Sequence, residues 1–155
     1  MWQLAGDVGL DVNSPYAYVL WAEYFGATSL VATDASRRPR VVAFVIGFRP
    51  PADPHDLFVW QIGVHGAMRG GGVGSQLLDR LTRLTSASHL VATVTPENQA
   101  SAALFRTFAA RHGAPVTETP LFGAELFPGG HEPEVRFRIG PIDRPEIDHT
   151  TEGDC

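Results

Sequence analysis

The chain contains no lysine: all 12 of its basic residues are arginines. That absence excludes a lysine Schiff base, a pyridoxal phosphate anchor and a Walker-type phosphate loop. Cysteine is almost missing too. Cys155 is the only one, and it is the last residue. No disulfide can form within the chain, and a terminal thiol is held too loosely to act as a nucleophile. None of the six histidines recurs at the close spacing of a zinc site, so no metal is expected. The longest apolar run, VVAFVIGF, is too short to cross a bilayer. The opening MWQLAGDVGLDV lacks the basic and apolar regions of a signal peptide. The net charge is −5, and a mildly acidic surface argues against a nucleic-acid partner. These absences leave a soluble, cytoplasmic protein with no membrane or nucleic-acid partner as the expectation.

What is present is enough apolar mass, 44% of 155 residues, for one ordinary core. The expected organisation is a single domain over residues 1–140 with a polar, disordered tail over 141–155. NSPYAYVLWAEYFG reads as a helix: Ser14 can cap it, Pro15 suits its first turn and Gly26 its end. TSLVAT and VVAFVIGFR read as an antiparallel hairpin around DASRRPR. LFVWQIGV is a strand, and a helix follows from about Ser75 with Leu77, Leu78, Leu81 and Leu84 on one face. HLVATVT is a short buried strand. PENQASAALFRTFAARHG is a helix with Thr95 as cap, Pro96 in its first turn and Gly113 as stop. Residues 114 to 133 are weakly patterned, and EVRFRIG alternates as a strand. The order predicts an α/β fold of mixed α+β layers.

Between LFVWQIGV and QLLDRLTRL lies RGGGVGS, Arg69 to Ser75. Three consecutive glycines are unfavourable to order. A strand, a glycine turn and a helix together make an anion site, because turn amides and the positive helix end converge on one point. A flexible surface loop is the plainer reading. The dinucleotide fingerprint Gly-x-Gly-x-x-Gly fails: from Gly70 its sixth position is Ser75, and from Gly72 it is Leu77. Arg/Gln-x-x-Gly-x-Gly/Ala is met by Arg69, Gly72 and Gly74.

With FVWQIGV before the loop, SQLLDRL after it, then LVATVT and Asn98, this order resembles the GNAT acetyltransferase superfamily from about Val41 to Gly113. The resemblance implies a central mixed sheet with helices on both faces, splayed between VWQIGV and LVATVT. It implies acetyl-CoA as cosubstrate. The pantetheine arm would lie along Gln61, Ile62, Gly63 and Val64, and the pyrophosphate on Arg69, Gly70, Gly71, Gly72, Val73, Gly74 and Ser75, with Asn98 beside the arm. A backbone N–H near Ile62 to Val64 would stabilise the oxyanion, a donor commonly worth ~3 kcal/mol.

Four segments, LDVNSPYAYVLW, FVWQIGV, ATVTPENQASAALF and GGHEPE, resemble one branch in particular, the L-2,4-diaminobutyrate acetyltransferases of ectoine biosynthesis. The implied reaction acetylates the 4-amino group of a small diamine. Asp11, Glu134 and Glu132 would attract the diamine, and Trp60 would offer a flat wall and a cation–π face. Tyr16, Thr93, Asn98 and His131 would supply hydrogen bonds. Each has a plainer reading: Asp11 could start the helix, Trp60 could be core, Asn98 a local cap partner, and His131 and Glu134 solvated loop residues.

Catalysis needs a neutral amine, whose unperturbed pKa is roughly 10, and a proton acceptor. Many GNAT enzymes place a tyrosine seven residues after the motif asparagine to protonate the thiolate. Here Phe105 stands there and cannot donate. Tyr16 is the substitute candidate, with water as the alternative. His131, or a carboxylate acting through water, is the candidate base. A different amine substrate, or a non-catalytic acyl-CoA sensor, would fit the same coenzyme loop. A homodimer follows from the resemblance, with residues 114–133 as a candidate interface.

Overall fold

A computed structural model describes residues 1–142 of the chain. The elements run α1 (Trp2–Asp7), α2 (Pro15–Tyr24), β1 (Ser29–Thr33), β2 (Val41–Phe48), β3 (Asp56–Val64), α3 (Val73–Thr85), β4 (His89–Val94), α4 (Gln99–Arg111), β5 (Val116–Phe122) and β6 (Glu134–Ile139). The strands form one sheet in the order β1-β2-β3-β4-β6-β5. Only β3 and β4 pair parallel; the other four pairings are antiparallel. As the two strand-like runs flanking DASRRPR imply, β1 and β2 make a hairpin. Asp34 holds its turn, accepting from the Arg40 amide at 3.0 Å and the Ser36 hydroxyl at 2.8 Å.

Apolar residues gather on both faces of the sheet. On one face, Leu77, Leu78 and Leu81 of α3 and Phe105, Phe108 and Ala109 of α4 pack on Val45, Leu57, Leu90 and Phe137. On the other, Leu4 and Ala5 of α1 and Tyr18 and Trp21 of α2 pack on Phe44 and Ile46. Leu84 departs from the expected apolar face and is 62% exposed, because the buried stripe of α3 runs through 77, 78 and 81 and turns away before 84.

Helix α4 also starts later than expected. Thr95 and Pro96 form a turn, closed by the Asn98 amide donating to the Thr95 carbonyl, and Asn98 is the cap whose side chain accepts from the Ser101 amide at 3.0 Å. Residues 116–122, weakly patterned in sequence, form the edge strand β5, with Pro120 inside it. Packing continues past residue 140: Ile142 is buried in the main core and its amide donates to the Ser88 carbonyl. The rest of the expected tail, 143–155, lies outside the described residues.

One irregularity decides where the site opens. Between β2 and β3, Ile46 pairs with Gln61 but Gly47 pairs with Val59, so Trp60 is an extra, bulged residue. The bulge changes the face of the strand. Leu57 and Val59 point to the α3–α4 core before it, and Ile62 and Val64 point there after it. Gly47 permits the close approach: a Cβ there would sit 2.6 Å from the Phe58 carbonyl oxygen. At the same level the parallel ladder stops. β3 and β4 pair from Asp56 and His89 to Val59 and Ala92, and no further. Beyond it Ile62 to Val64 remain bound to β2, and Thr93 and Val94 to β6.

Candidate active site

Two cavities flank this opening. The first, of about 710 Å³, runs from the glycine loop along the free side of β3. Its wall includes Ile62, Gly63, Val64, Arg69 and Gly70, and the start of α3 at Gly72, Val73, Gly74 and Ser75. Gly72 is the helix cap, with φ 75°, and no side chain caps this end. The first amides of α3 are therefore left for an outside acceptor, next to the positive end of the helix dipole. Gly74 packs on Val64 and Leu104, where a Cβ would make ordinary van der Waals contact at 3.5–3.6 Å. Gly71 does not line this cavity; it faces the Met68 carbonyl.

The second cavity, of about 640 Å³, lies on the β4–β6 side of the opening. Asp11, Trp60, Thr93, Asn98, His131, Glu132 and Glu134, all expected to belong together, line it. They come from a loop, β3, β4, the α4 cap and the β6 approach, which only the fold brings to one place. Gln61 lines this cavity rather than the first. Its side chain accepts from the Tyr18 hydroxyl at 2.9 Å and donates to the Asp11 carbonyl at 2.7 Å. The two cavities share Gly9, Leu10, Ile62, Asn98 and Ser101, so they meet at the point where β3 and β4 part.

The polar end of the second cavity is built around His131. Its Nδ1 is 2.6 Å from the Glu132 carbonyl oxygen, which can only accept, so Nδ1 carries a proton. Phe127 packs on the ring at a centroid distance of 4.3 Å. The remaining nitrogen, Nε2, stands 3.8 Å from Glu134 and 3.9 Å from Asp11. Both separations are beyond hydrogen-bond length. Burial pushes the Glu134 carboxyl above the usual glutamate range. The Thr93 hydroxyl and His131 pull the other way, and Asp11 adds to the rise. Its Oε2 is buried with no hydrogen-bond partner. Trp60, 42% exposed, is backed by Trp21 at 4.1 Å. Phe105 is buried against Phe137 and presents an apolar surface to the cavity.

Tyr16, the expected proton donor, is elsewhere. It is 71% exposed on α2 and lines neither cavity. At 100° per residue, the α2 face that buries Tyr18 and Trp21 turns Tyr16 outward. The buried tyrosine next to the site is Tyr18, two residues on; its place in a run of apolar helix residues carried no signal that set it apart from core. Among the described residues, no group of three or more His, Cys, Asp or Glu is placed to hold a metal ion. No helix among them is long and apolar enough to cross a membrane.

An open sheet, parted beside a glycine-capped helix and a capping asparagine, defines a class of acyl-CoA-dependent transferase. The chain matches the acetyltransferase (GNAT) family over residues 2–109 and belongs to it. Within that family it falls with the L-2,4-diaminobutyric acid acetyltransferases. It is 44% identical to that of Shouchella clausii (strain KSM-K16) over 146 residues, covering 92% of this chain and 80% of the other. It is 43% identical to that of Streptomyces coelicolor (strain ATCC BAA-471 / A3(2) / M145), covering 92% and 86%. The solved diaminobutyrate acetyltransferase of Paenibacillus lautus, in complex with L-2,4-diaminobutyric acid and coenzyme A, superposes with a TM-score of 0.84 at 38% identity, covering 93% of this chain and 89% of that one.

Proposed function

We propose that this chain transfers the acetyl group of acetyl-CoA to the 4-amino group of L-2,4-diaminobutyrate, the acetylation step of ectoine biosynthesis. The observation that carries this reading is the junction of the two cavities at Ile62, Asn98 and Ser101, with carboxylates at the far end of one and a glycine-capped helix at the end of the other. Acetyl-CoA would enter from the α3 side. Its pyrophosphate would rest on the amides of Gly70 and Gly72 to Ser75, and its arm would run along the edge of Ile62 to Val64 that β4 leaves unpaired. The diamine would enter from the other side. Its 2-ammonium would lie between Asp11 and Glu134, against Trp60, leaving the 4-amine at the junction.

In the reaction the neutral amine attacks the thioester carbon. A C–N bond forms, the C–S bond breaks and coenzyme A leaves as thiolate. A backbone N–H of Ile62 to Val64 holds the oxyanion. His131 is the base of this proposal: with Nδ1–H committed to the Glu132 carbonyl, Nε2 is free to take the amine proton through water. The thiolate is protonated by water, because Phe105 cannot donate and Tyr16 faces away.

The test is thiol release from acetyl-CoA with 2,4-diaminobutyrate, ornithine, lysine and putrescine, with mass spectrometry of the product. Preferential formation of the 4-acetyl product is expected. Preference for another amine overturns the substrate, and absence of thiol release with acetyl-CoA still bound overturns the enzyme. We also infer one catalytic domain over residues 1–140, with Ile142 packed on its core, a cytoplasmic location and a role under osmotic stress. A homodimer is inferred too, supported by Leu121, Phe122 and Leu126, 39–62% exposed along β5 and the segment leading to His131. Light scattering of the purified protein checks the dimer.

A further inference from the structure

Asp11 stands opposite His131 with a side chain that is 93% exposed. A carboxylate so exposed is not positioned by packing; its place depends on the backbone beneath it. That backbone is short of support. Among the described residues, one hydrogen bond ties residues 11–13 to the sheet: Gln61 Nε2 donating to the Asp11 carbonyl at 2.7 Å. Gln61 is itself buried, at 8% exposure, and sits next to the Trp60 bulge at the mouth of the parted strands.

The amide of Gln61 can be oriented in only one way. The Asp11 carbonyl accepts and never donates, so Nε2 must face it and Oε1 must face Tyr18. The Tyr18 hydroxyl then donates, at 2.9 Å, from a side chain that is 6% exposed. Tyr18 rises from the inner face of α2, with its ring edge-on to Phe44. A rigid helix, a buried amide and a loop carbonyl therefore form one directed chain. Its two links need a side chain that both accepts and donates, which glutamine supplies and glutamate does not.

We infer that Tyr18 and Gln61 are positioning residues for the amine. Through the relay Tyr18 hydroxyl, Gln61 amide and Asp11 carbonyl, they hold the Asp11 carboxylate opposite His131 and Glu134 and so set amine binding separately from cofactor binding. This rests on the second cavity being the amine pocket, as in the proposed function.

The experiment uses the full chain and four variants: Tyr18→Phe, which keeps the ring on Phe44; Gln61→Glu, which keeps acceptance from Tyr18 and loses donation to Asp11; Asp11→Ala; and the Tyr18→Phe, Asp11→Ala pair. Two readouts are taken. The first is amide hydrogen exchange of the peptide over residues 9–14. Tyr18→Phe and Gln61→Glu are each expected to speed its exchange at least about fivefold, while exchange in α3 stays as in the parent. The second is KM for diaminobutyrate and for acetyl-CoA. Tyr18→Phe is expected to raise the amine KM about 3- to 10-fold, and Gln61→Glu by at least as much, with the acetyl-CoA KM within twofold of the parent. In the Asp11→Ala background the Tyr18→Phe effect on amine KM should shrink below twofold, because the relay then has no carboxylate to place.

Unchanged exchange over 9–14 overturns the relay, whatever the enzyme acetylates. Faster exchange with an unchanged amine KM, or with equal rises for both substrates, overturns its positioning role. Full additivity with Asp11→Ala does the same. Failure of the parent protein to turn over diaminobutyrate overturns the proposed function instead, and the exchange readout still decides whether the relay orders the loop.

Discussion

At one end of the β3–β4 pair, buried Asp56 lies opposite His89 and takes two hydrogen bonds from Arg138, at 3.0 and 3.2 Å, with His89 Nδ1 at 3.1 Å. Four residue pairs further on, past Trp60, the same two strands make no bonds to each other. Glu134, at this open end, keeps a buried oxygen without a partner. Acids occur at both ends, but their partners differ. At the closed end both oxygens of the acid are taken by Arg138, and Asp56, His89 and Arg138 bring three strands together, while His89 Nδ1 makes no hydrogen bond of its own. At the open end the carboxylates of Asp11 and Glu134 and the α3 terminus, which no side chain caps, are left for a ligand. The contrast separates what holds the sheet together from what the sheet holds, and each end has substitutions that should disturb it alone.

The largest effect is expected where the open end meets the coenzyme. Gly72→Asp places a carboxylate at the α3 cap, against an anionic pyrophosphate. Two unit charges about 4 Å apart at a protein surface repel by on the order of 4 kcal/mol. Acetyl-CoA affinity, measured by calorimetry, should fall at least about 100-fold. Gly72→Ala carries only the strain of φ 75°, about 1–2 kcal/mol, and should weaken binding about tenfold or less. Equal affinities for the two variants would break the placement of the pyrophosphate. Next comes the closed end. Arg138→Ala leaves Asp56 buried with His89 alone and should lower stability by about 2–3 kcal/mol in chemical denaturation, with both KM values near those of the parent. A raised amine KM at full stability would show that the two ends are not independent.

Much of this contrast was legible in the residues, and its geometry was not. The anion turn showed itself through three adjacent glycines, the hairpin through two strand-like runs around DASRRPR, α3 through its leucine spacing and α4 through its start and stop residues. Asp11, Trp60, Thr93, Asn98, His131 and Glu134 were gathered by family resemblance, and the fold brings them to one cavity. The parting of β3 from β4 was expected from the family resemblance alone; the residues themselves did not place it, because strand pairing is long-range and the Trp60 bulge is defined by its partner strand. Thr95 and Asn98 are both good caps, and only the turn between them decides which one serves. The six residues of α1 are too few to show a period. Pro120 and an exposed outer face hid β5. Tyr18 was not set apart from the helix core, and Gln61 was assigned to the pantetheine arm, since a buried polar relay shows only when its partners are in place.

The third prediction returns to the open end. Glu134 has its carboxyl raised above the ordinary value of 4.5, chiefly by burial. Its charged form is therefore the form that folding disfavours, and at neutral pH its ionisation weakens the fold rather than strengthening it. Glu134→Gln should leave the Tm unchanged or raise it, opposite in sign to Arg138→Ala. The same change removes a charged contact to the diamine, and the amine KM should rise roughly 10- to 30-fold, in line with about 1.5–2 kcal/mol for a hydrogen bond to a charged group. In the parent, amine KM should rise as the pH falls through the raised Glu134 value, because protonation removes the charge that binds the ammonium. In Glu134→Gln that acid limb should flatten. An acid limb of the same shape in both proteins would assign it to another group.

The smallest expected effect falls on Phe105, on the wall between the two ends. It stands seven residues after Asn98, where a tyrosine would bring a hydroxyl to the cavity, and it is 2% exposed against Phe137. Phe105→Tyr adds one polar atom to a packed apolar surface and offers a proton to the leaving thiolate. If water already protonates that thiolate quickly, kcat should change by less than about threefold and the Tm should fall slightly, because the new hydroxyl is partly desolvated. A solvent isotope effect on kcat, compared between parent and variant, separates the cases. An unchanged isotope effect with an unchanged kcat places the slow proton at the amine, on the His131 side of the cavity. A tenfold rise in kcat with a smaller isotope effect places it at the sulfur, and would make the missing hydroxyl, rather than the base, the feature that limits this enzyme.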